Sequence, residues 1–281
     1  ARQAIKNAGL SPADIDGIVV GTVTPDYAFP STACRLQHRL GIQGCLAFDV
    51  VAVCSGFLYA FTTADSLIAS GQCRNVLVVG VDLFSTILDK NDRSTIMLFG
   101  DGAGAMVLTA ASPEEHYGSR FVFGDGSSLR GVLATELGAD GQYGDLLACK
   151  FGSAARLTPE LISSGAHWMT MEGKEVFKHA TRKLAAINIS VCEKAGFSVD
   201  QVDYFVTHQA NKRIVDSMTK QLGVSEQKVL SNIARYGNTS AASVPLLLCE
   251  AESEGTIKNG DLIAISAFGA GFTWGAALIR W

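Results

Sequence analysis

Ile15-Asp16-Gly17-Ile18-Val19-Val20 and Val202-Asp203-Tyr204-Phe205-Val206 share one pattern, an apolar residue and an Asp leading into an apolar run. Each run reads as a buried strand, because continuous apolar stretches suit a sheet covered on both faces. Similar surroundings extend outward from both. In the first half, residues 15–23 and 47–51 read as strands and 55–70 as a helix. The run Val-Leu-Val-Val-Gly-Val at 76–81 reads as a further strand. In the second half, residues 172–195 form a long helix ended by Gly196, 202–207 a strand, and 211–222 and 240–254 helices followed by Gly223 and Gly255. Residues 262–266 and 275–281 complete it as strands. The runs Phe99-Gly100-Asp101-Gly102-Ala103-Gly104 and Phe268-Gly269-Ala270-Gly271 read as a glycine hairpin in each half. The period is too long for a solenoid. The chain therefore reads as one α/β unit duplicated, with halves at 1–165 and 166–281 packed face to face; chance similarity of two glycine-rich strand turns is the alternative.

The composition fits that reading. Of 281 residues, 48% are apolar and 18% charged, which suits a folded globular chain. A net charge of −4 does not favour nucleic acid or an anionic membrane as partner. No apolar run reaches the length of a membrane span, and no signal peptide is expected. The seven cysteines are odd in number and show no C-x-x-C pair, so reduced thiols in a cytoplasmic protein are expected, six of them in the core. Residues 1–9 read as a helix stopped by Gly9, and a segment preceding Ala1 is expected. Residues 113–165, rich in Gly and Ser, are expected to form excursions or a lid rather than core.

Four places could carry chemistry. Cys54 follows a strand and opens a helix at Ser55-Gly56. The unpaired N–H groups of a helix N-terminus lower a thiol pKa and can hold an oxyanion. A packed core thiol is the bland alternative. Cys34, Cys192 and Cys249 fall within helices, and Cys73 in a surface-like turn. His208 ends a strand, where open α/β sheets place ligands. His38 and His179 fall within helices, and His116 and His167 in the irregular middle. Asn238, in Tyr236-Gly237-Asn238-Thr239-Ser240, reads by itself as a turn or cap residue. Its catalytic use requires the amide to face the cavity of Cys54 and His208. Ala267-Phe268-Gly269-Ala270-Gly271 would let backbone N–H groups approach a carbonyl, or simply turn the chain. It precedes a strand rather than a helix, so it is no phosphate loop.

Taken in order, several stretches resemble beta-ketoacyl-acyl carrier protein synthase III, within the thiolase-like superfamily. They are Ala47-Phe48-Asp49-Val50 leading to Cys54-Ser55-Gly56-Phe57, Leu98-Phe99-Gly100-Asp101-Gly102-Ala103-Gly104-Ala105, His208-Gln209-Ala210-Asn211, Gly237-Asn238-Thr239-Ser240-Ala241-Ala242-Ser243-Val244-Pro245 and Gly271-Phe272-Thr273-Trp274-Gly275. The resemblance implies a five-layered αβαβα fold of two duplicated halves and a homodimer. It implies a Cys54, His208, Asn238 triad that condenses an acyl-coenzyme A starter with malonyl-acyl carrier protein. Backbone N–H groups of Cys54 and Gly269 would hold the oxyanion. Lys178, Arg213 and Lys220 match carrier-protein-binding positions, Arg156 a coenzyme A contact, and Phe29 a residue reaching the partner subunit's acyl pocket. No metal or cofactor is implied. The family's first strand and an adenine-stacking tryptophan fall before Ala1, and the segment near 115–137 looks longer than usual. A starter enzyme of polyketide or quinolone type and a non-catalytic thioester-binding dimer partner are the alternatives.

Overall fold

The computed structural model describes residues 1–111, 130–152 and 156–281. The first sheet contains β1 (Gly17–Gly21), β2 (Leu46–Val50), β3 (Asn75–Leu83) and β4 (Asp101–Thr109), in the order β2-β1-β3-β4. The second contains β5 (Gly131–Ala139), β8 (Tyr204–Thr207), β9 (Leu262–Gly269) and β10 (Thr273–Arg280), in the order β5-β10-β9-β8. Two short strands, β6 (Leu147–Ala148) and β7 (Thr170–Met171), pair with each other. The strands that opened the sequence reading are β1 and β8. Each pairs in parallel with the next core strand, β3 or β9, which then pairs antiparallel with β4 or β10.

The helices are α1 (Arg2–Asn7), α2 (Thr32–Leu40), α3 (Gly56–Ala69), the short α4 (Arg93–Ile96) and α5 (Pro159–Ser163), α6 (Gly173–Lys194), α7 (Lys212–Leu222), the short α8 (Ile233–Tyr236) and α9 (Ser243–Ser253). Helices α3 and α9 touch strands of both sheets. Their N-terminal stretches, residues 56–61 and 244–248, are apolar on every side, as suits a helix with a sheet on each face. Phe57, Leu58 and Phe61 of α3 share one buried cluster with Val244, Leu247 and Leu248 of α9. Helices α1 and α2 cover the outer face of the first sheet, and α6 that of the second, with α7 packed on α6. The layers therefore run helix, sheet, helix, sheet, helix. Among the described residues no helix is long and apolar enough to cross a membrane.

The structure corrects several expectations. Residues 131–139 are no excursion: β5 pairs with β10 along its length and joins the second sheet. Part of the segment read as lid, at 113–129 and 153–155, lies outside the described residues, as do His116 and most of the stretch expected to be long. The run at 99–104 is no hairpin, since residues 101–109 form β4. Its glycines serve close approach instead. A Cβ on Gly100 would lie 2.3 Å from the Tyr236 carbonyl oxygen, and one on Gly104 2.8 Å from the Pro245 ring. The second glycine run does turn the chain, between β9 and β10. Cys73 is buried, its thiol directed at the Asp16 carbonyl, and Cys249 is exposed rather than core.

Candidate active site

Cys54 is delivered by an abrupt change of direction. β2 ends at Val50, the residues Val53–Ser55 form a 3-10 turn, and α3 begins at Gly56. Val53 sits at φ +47°, a conformation that costs a β-branched residue energy and is kept where surrounding structure fixes it. The thiol is thereby held at the N-terminal end of α3. His208 follows β8 directly, and its backbone N–H donates to the Ser266 carbonyl at 2.7 Å, continuing the β8–β9 ladder. Asn238 lies between α8 and a 3-10 turn at Ser240–Ala242, after Gly237 at φ +67°. Its peptide is pinned to the segment before β4. Its N–H donates to the Leu98 carbonyl at 2.8 Å, and its carbonyl accepts from the Gly100 N–H at 2.9 Å.

The three side chains line one cavity of about 530 Å³, together with Phe268 and Gly269. Cys54 is 4% exposed, His208 1% and Asn238 5%, so all three are shielded from bulk water. Asn238 Oδ1 accepts from the Ser240 N–H at 2.9 Å, which leaves the Nδ2 amide as the donor available to the cavity. His208 Nδ1 lies 2.6 Å from the Ser243 hydroxyl, and its Nε2 has no hydrogen-bond partner among the described residues. The Ser240 hydroxyl donates to the Cys54 sulfur at 3.6 Å, from a residue itself at φ +50°. A second cavity, of about 490 Å³, reaches Cys54 from another side and is lined by Val53, Phe84, Phe99, Met169 and Thr273. Cys54 thus stands where two largely apolar spaces meet, the first of which also carries His208 and Asn238.

The electrostatics correct one sequence expectation. Burial pushes the Cys54 thiol up to about 12, opposed by the Ser240 hydroxyl and reinforced by the Asp82 carboxylate. A rise of this size corresponds to about 4 kcal/mol, whereas a helix terminus supplies about 0.3–2 kcal/mol. Desolvation wins, and the resting group is a thiol rather than the thiolate expected from the helix N-terminus. Burial also pushes His208 down to about 3, so the imidazole is neutral. Asp82 is itself buried, which raises its pKa. It accepts from the Val23 N–H at 2.8 Å and the Thr22 hydroxyl at 3.1 Å.

The other sequence candidates are distributed around this centre. Gly269 lies against Cys54, and Arg213 lines the first cavity with its guanidinium over the Phe177 ring at 5.4 Å. Lys178 and Lys220 are outside the cavity lining; Lys178 pairs with Glu175 at 3.3 Å, and Lys220 stands in the last turn of α7. Arg156 is exposed and borders residues outside the description. Phe29 is 86% exposed. Sequence reasoning missed Ser240, Ser243 and Asp82, and also Lys174, which lines the cavity beside Arg213.

The family model for 3-oxoacyl-(acyl-carrier-protein) synthase III matches residues 48–153, and the one for its C-terminal part matches residues 192–281. The chain belongs to this family. It is 49% identical over 284 residues to the beta-ketoacyl-(acyl-carrier-protein) synthase III of Mesorhizobium japonicum, a match covering 100% of this chain and 82% of that relative. Among solved structures, the 3-oxoacyl-(acyl-carrier-protein) synthase III of Aquifex aeolicus VF5 has 42% identity and a TM-score of 0.87, covering 100% of this chain and 82% of that one. The priming beta-ketosynthase of the R1128 polyketide pathway has 32% identity and a TM-score of 0.86, covering 99% and 78%. The fold is thiolase-like, and the chain is an acyltransferase of the condensing type.

Proposed function

We propose that this member of the synthase III family joins an acyl-coenzyme A starter to malonyl-acyl carrier protein, with Cys54 as the acyl carrier. The observation that carries the assignment of roles is the convergence of Cys54, His208 and Asn238 on one buried cavity.

In the first half reaction the Cys54 sulfur attacks the thioester carbonyl of acyl-coenzyme A. The carbon–sulfur bond to coenzyme A breaks, and the proton of the Cys54 thiol ends on the departing coenzyme A sulfur. Backbone N–H groups of Cys54 and Gly269 hold the oxyanion, a role supported by their close packing. The apolar second cavity suits the acyl chain. In the second half reaction the malonyl thioester loses carbon dioxide. His208 and Asn238 donate hydrogen bonds to its thioester oxygen as negative charge develops there. The resulting carbanion attacks the acyl-Cys54 carbonyl, the bond to sulfur breaks, and the sulfur takes a proton from water to regenerate the thiol as the 3-oxoacyl product leaves. Decarboxylation makes the carbanion without a strong base, which fits a neutral imidazole and an amide. The reaction invokes no cofactor.

The family name of the relatives supports acyl carrier protein as partner. Arg213 and Lys174 at the first cavity supply positive charge for it, with Lys178 and Lys220 outside the cavity lining. Arg156 is assigned to coenzyme A. Strongly exposed apolar residues, Phe29 and Val51 among them, support a homodimer in which Phe29 reaches the partner's acyl pocket. We assign the enzyme to the cytoplasm. A starter role in polyketide synthesis has the R1128 likeness in its favour, but the higher identities are to enzymes named synthase III. Incubation with radiolabelled acetyl-coenzyme A and malonyl-acyl carrier protein tests the proposal. Labelled 3-oxobutyryl-carrier protein is expected; condensation only with malonyl-coenzyme A would contradict it.

A further inference from the structure

Ser243 opens α9, buried, with its hydroxyl between two acceptors. The oxygen lies 2.6 Å from His208 Nδ1 and 2.9 Å from the Ser240 carbonyl oxygen. A serine hydroxyl has a single proton to donate. Given to the Ser240 carbonyl, that proton leaves Nδ1 carrying the ring hydrogen and Nε2 facing substrate as a bare lone pair. Given to Nδ1, it makes that nitrogen the acceptor and puts the ring hydrogen on Nε2. The neutral ring carries one hydrogen, so the two arrangements exclude each other.

Three observations favour the second arrangement. The contact to Nδ1 is the shorter of the two. The Ser240 carbonyl already accepts the Ser243 backbone N–H across the 3-10 turn, so it stays satisfied without the hydroxyl. An imidazole nitrogen is also a stronger base than a peptide carbonyl. The consequence is chemical. His208 Nε2 has no partner among the described residues, and His208 lines the cavity of Cys54 and Asn238. An N–H there complements a thioester oxygen gaining negative charge, and a lone pair there would repel it.

We propose that Ser243 is a positioning residue, whose hydroxyl donates to His208 Nδ1 and so fixes the tautomer that presents Nε2–H to the malonyl thioester. The proposal rests on His208 being the hydrogen-bond donor of the second half reaction. Ser243 neither transfers an atom nor touches substrate. Acylation of Cys54 does not require the Nε2 hydrogen, so the effect belongs to decarboxylation.

The test begins with the wild-type protein labelled with nitrogen-15 in its histidines. Long-range proton–nitrogen spectra report which ring nitrogen is protonated, and comparison with His208→Gln assigns the residue. Protonated Nε2 with a pyridine-like Nδ1 is expected, and protonated Nδ1 would overturn the proposal. In Ser243→Ala, loss of the fixed tautomer is expected with a drop of at least about tenfold in malonyl decarboxylation. Acylation of Cys54 is expected to stay near the wild-type rate. Ser243→Thr, which keeps the hydroxyl, should restore both spectrum and rate. An unchanged tautomer and rate in Ser243→Ala would also overturn the proposal. The donor role of His208 is tested separately: full decarboxylation by His208→Ala would remove that role, while the wild-type spectrum would still decide what Ser243 does to the ring.

Discussion

Gly269 packs so tightly on Cys54 that a Cβ placed on it would lie 2.9 Å from the Cys54 backbone nitrogen and 2.9 Å from its Cβ. Both contacts are shorter than real Cβ atoms make, and one is to backbone, which cannot swing aside. Gly269→Ala is therefore expected to push the Cys54 turn away from β9 and distort the oxyanion site. The overpacking cost is about 1–3 kcal/mol. A protein that still folds but acylates Cys54 at least about tenfold more slowly is the expected outcome, read by circular dichroism and acylation kinetics. Unchanged acylation by Gly269→Ala would show that the glycine is not needed there.

Asn238 and His208 supply the two donors of the second half reaction. Removing one such donor costs on the order of 10²–10³ in rate. Asn238→Ala and His208→Ala are each expected to lose decarboxylation by that factor while Cys54 is still acylated. Carbon dioxide release from malonyl-acyl carrier protein measures the first effect and the mass of the acyl-protein the second. Parallel loss of both half reactions would mean that these residues serve acylation too.

The pH dependence of stability follows from the two buried groups. His208 ordinarily titrates at 6.5 and is pushed down to about 3 by burial. Below 6.5 the unfolded chain binds a proton that the folded chain refuses. Stability present above 6.5 is thus lost as pH falls toward 3, by up to about 1.4 kcal/mol per pH unit. Cys54 acts at the other end. Its ordinary value is 9.0 and burial takes it to about 12, so stability falls as pH rises between these values. Urea denaturation across the acid range should show a shallower slope for His208→Gln than for wild type. Equal slopes would place the imidazole in water.

Phe29 is 86% exposed in the single chain, next to a cis peptide bond with Pro30. If it inserts into a partner, Phe29→Asp should weaken the dimer and lower acylation together. Sedimentation velocity would show a shift toward monomer at matched concentration. A wild-type protein that sediments as a monomer would rule the arrangement out.

Much of this site was legible in the sequence because strand ends and helix starts are local signals. The apolar run before Cys54 and the Gly56 after it marked the turn, and the run ending at Thr207 marked His208. Asn238 read alone as a turn residue, and it is one: its Oδ1 caps Ser240 while its amide remains for the cavity. The serines were not legible. The bond from His208 to Ser243 spans 35 residues and depends on how α9 enters the core. The small residues at 239–243 held a signal, since a Cβ on Gly80 of β3 would lie 2.2 Å from the Ala241 carbonyl. That approach leaves space only for short side chains. The thiol's protonation was misread because the helix terminus is visible in sequence and the depth of burial is not. β5 was missed because its glycine-rich flank masks a strand only half-buried, held through Glu136 to Ser190 at 2.7 Å.

The sulfur of Cys54 as acyl carrier is tested most directly by mass spectrometry of peptides after incubation with acetyl-coenzyme A. A single acetyl group on the peptide containing Cys54, absent from Cys54→Ala, is expected. An unmodified Cys54, or an acetyl group on one of the other six cysteines that persists in Cys54→Ala, would contradict it.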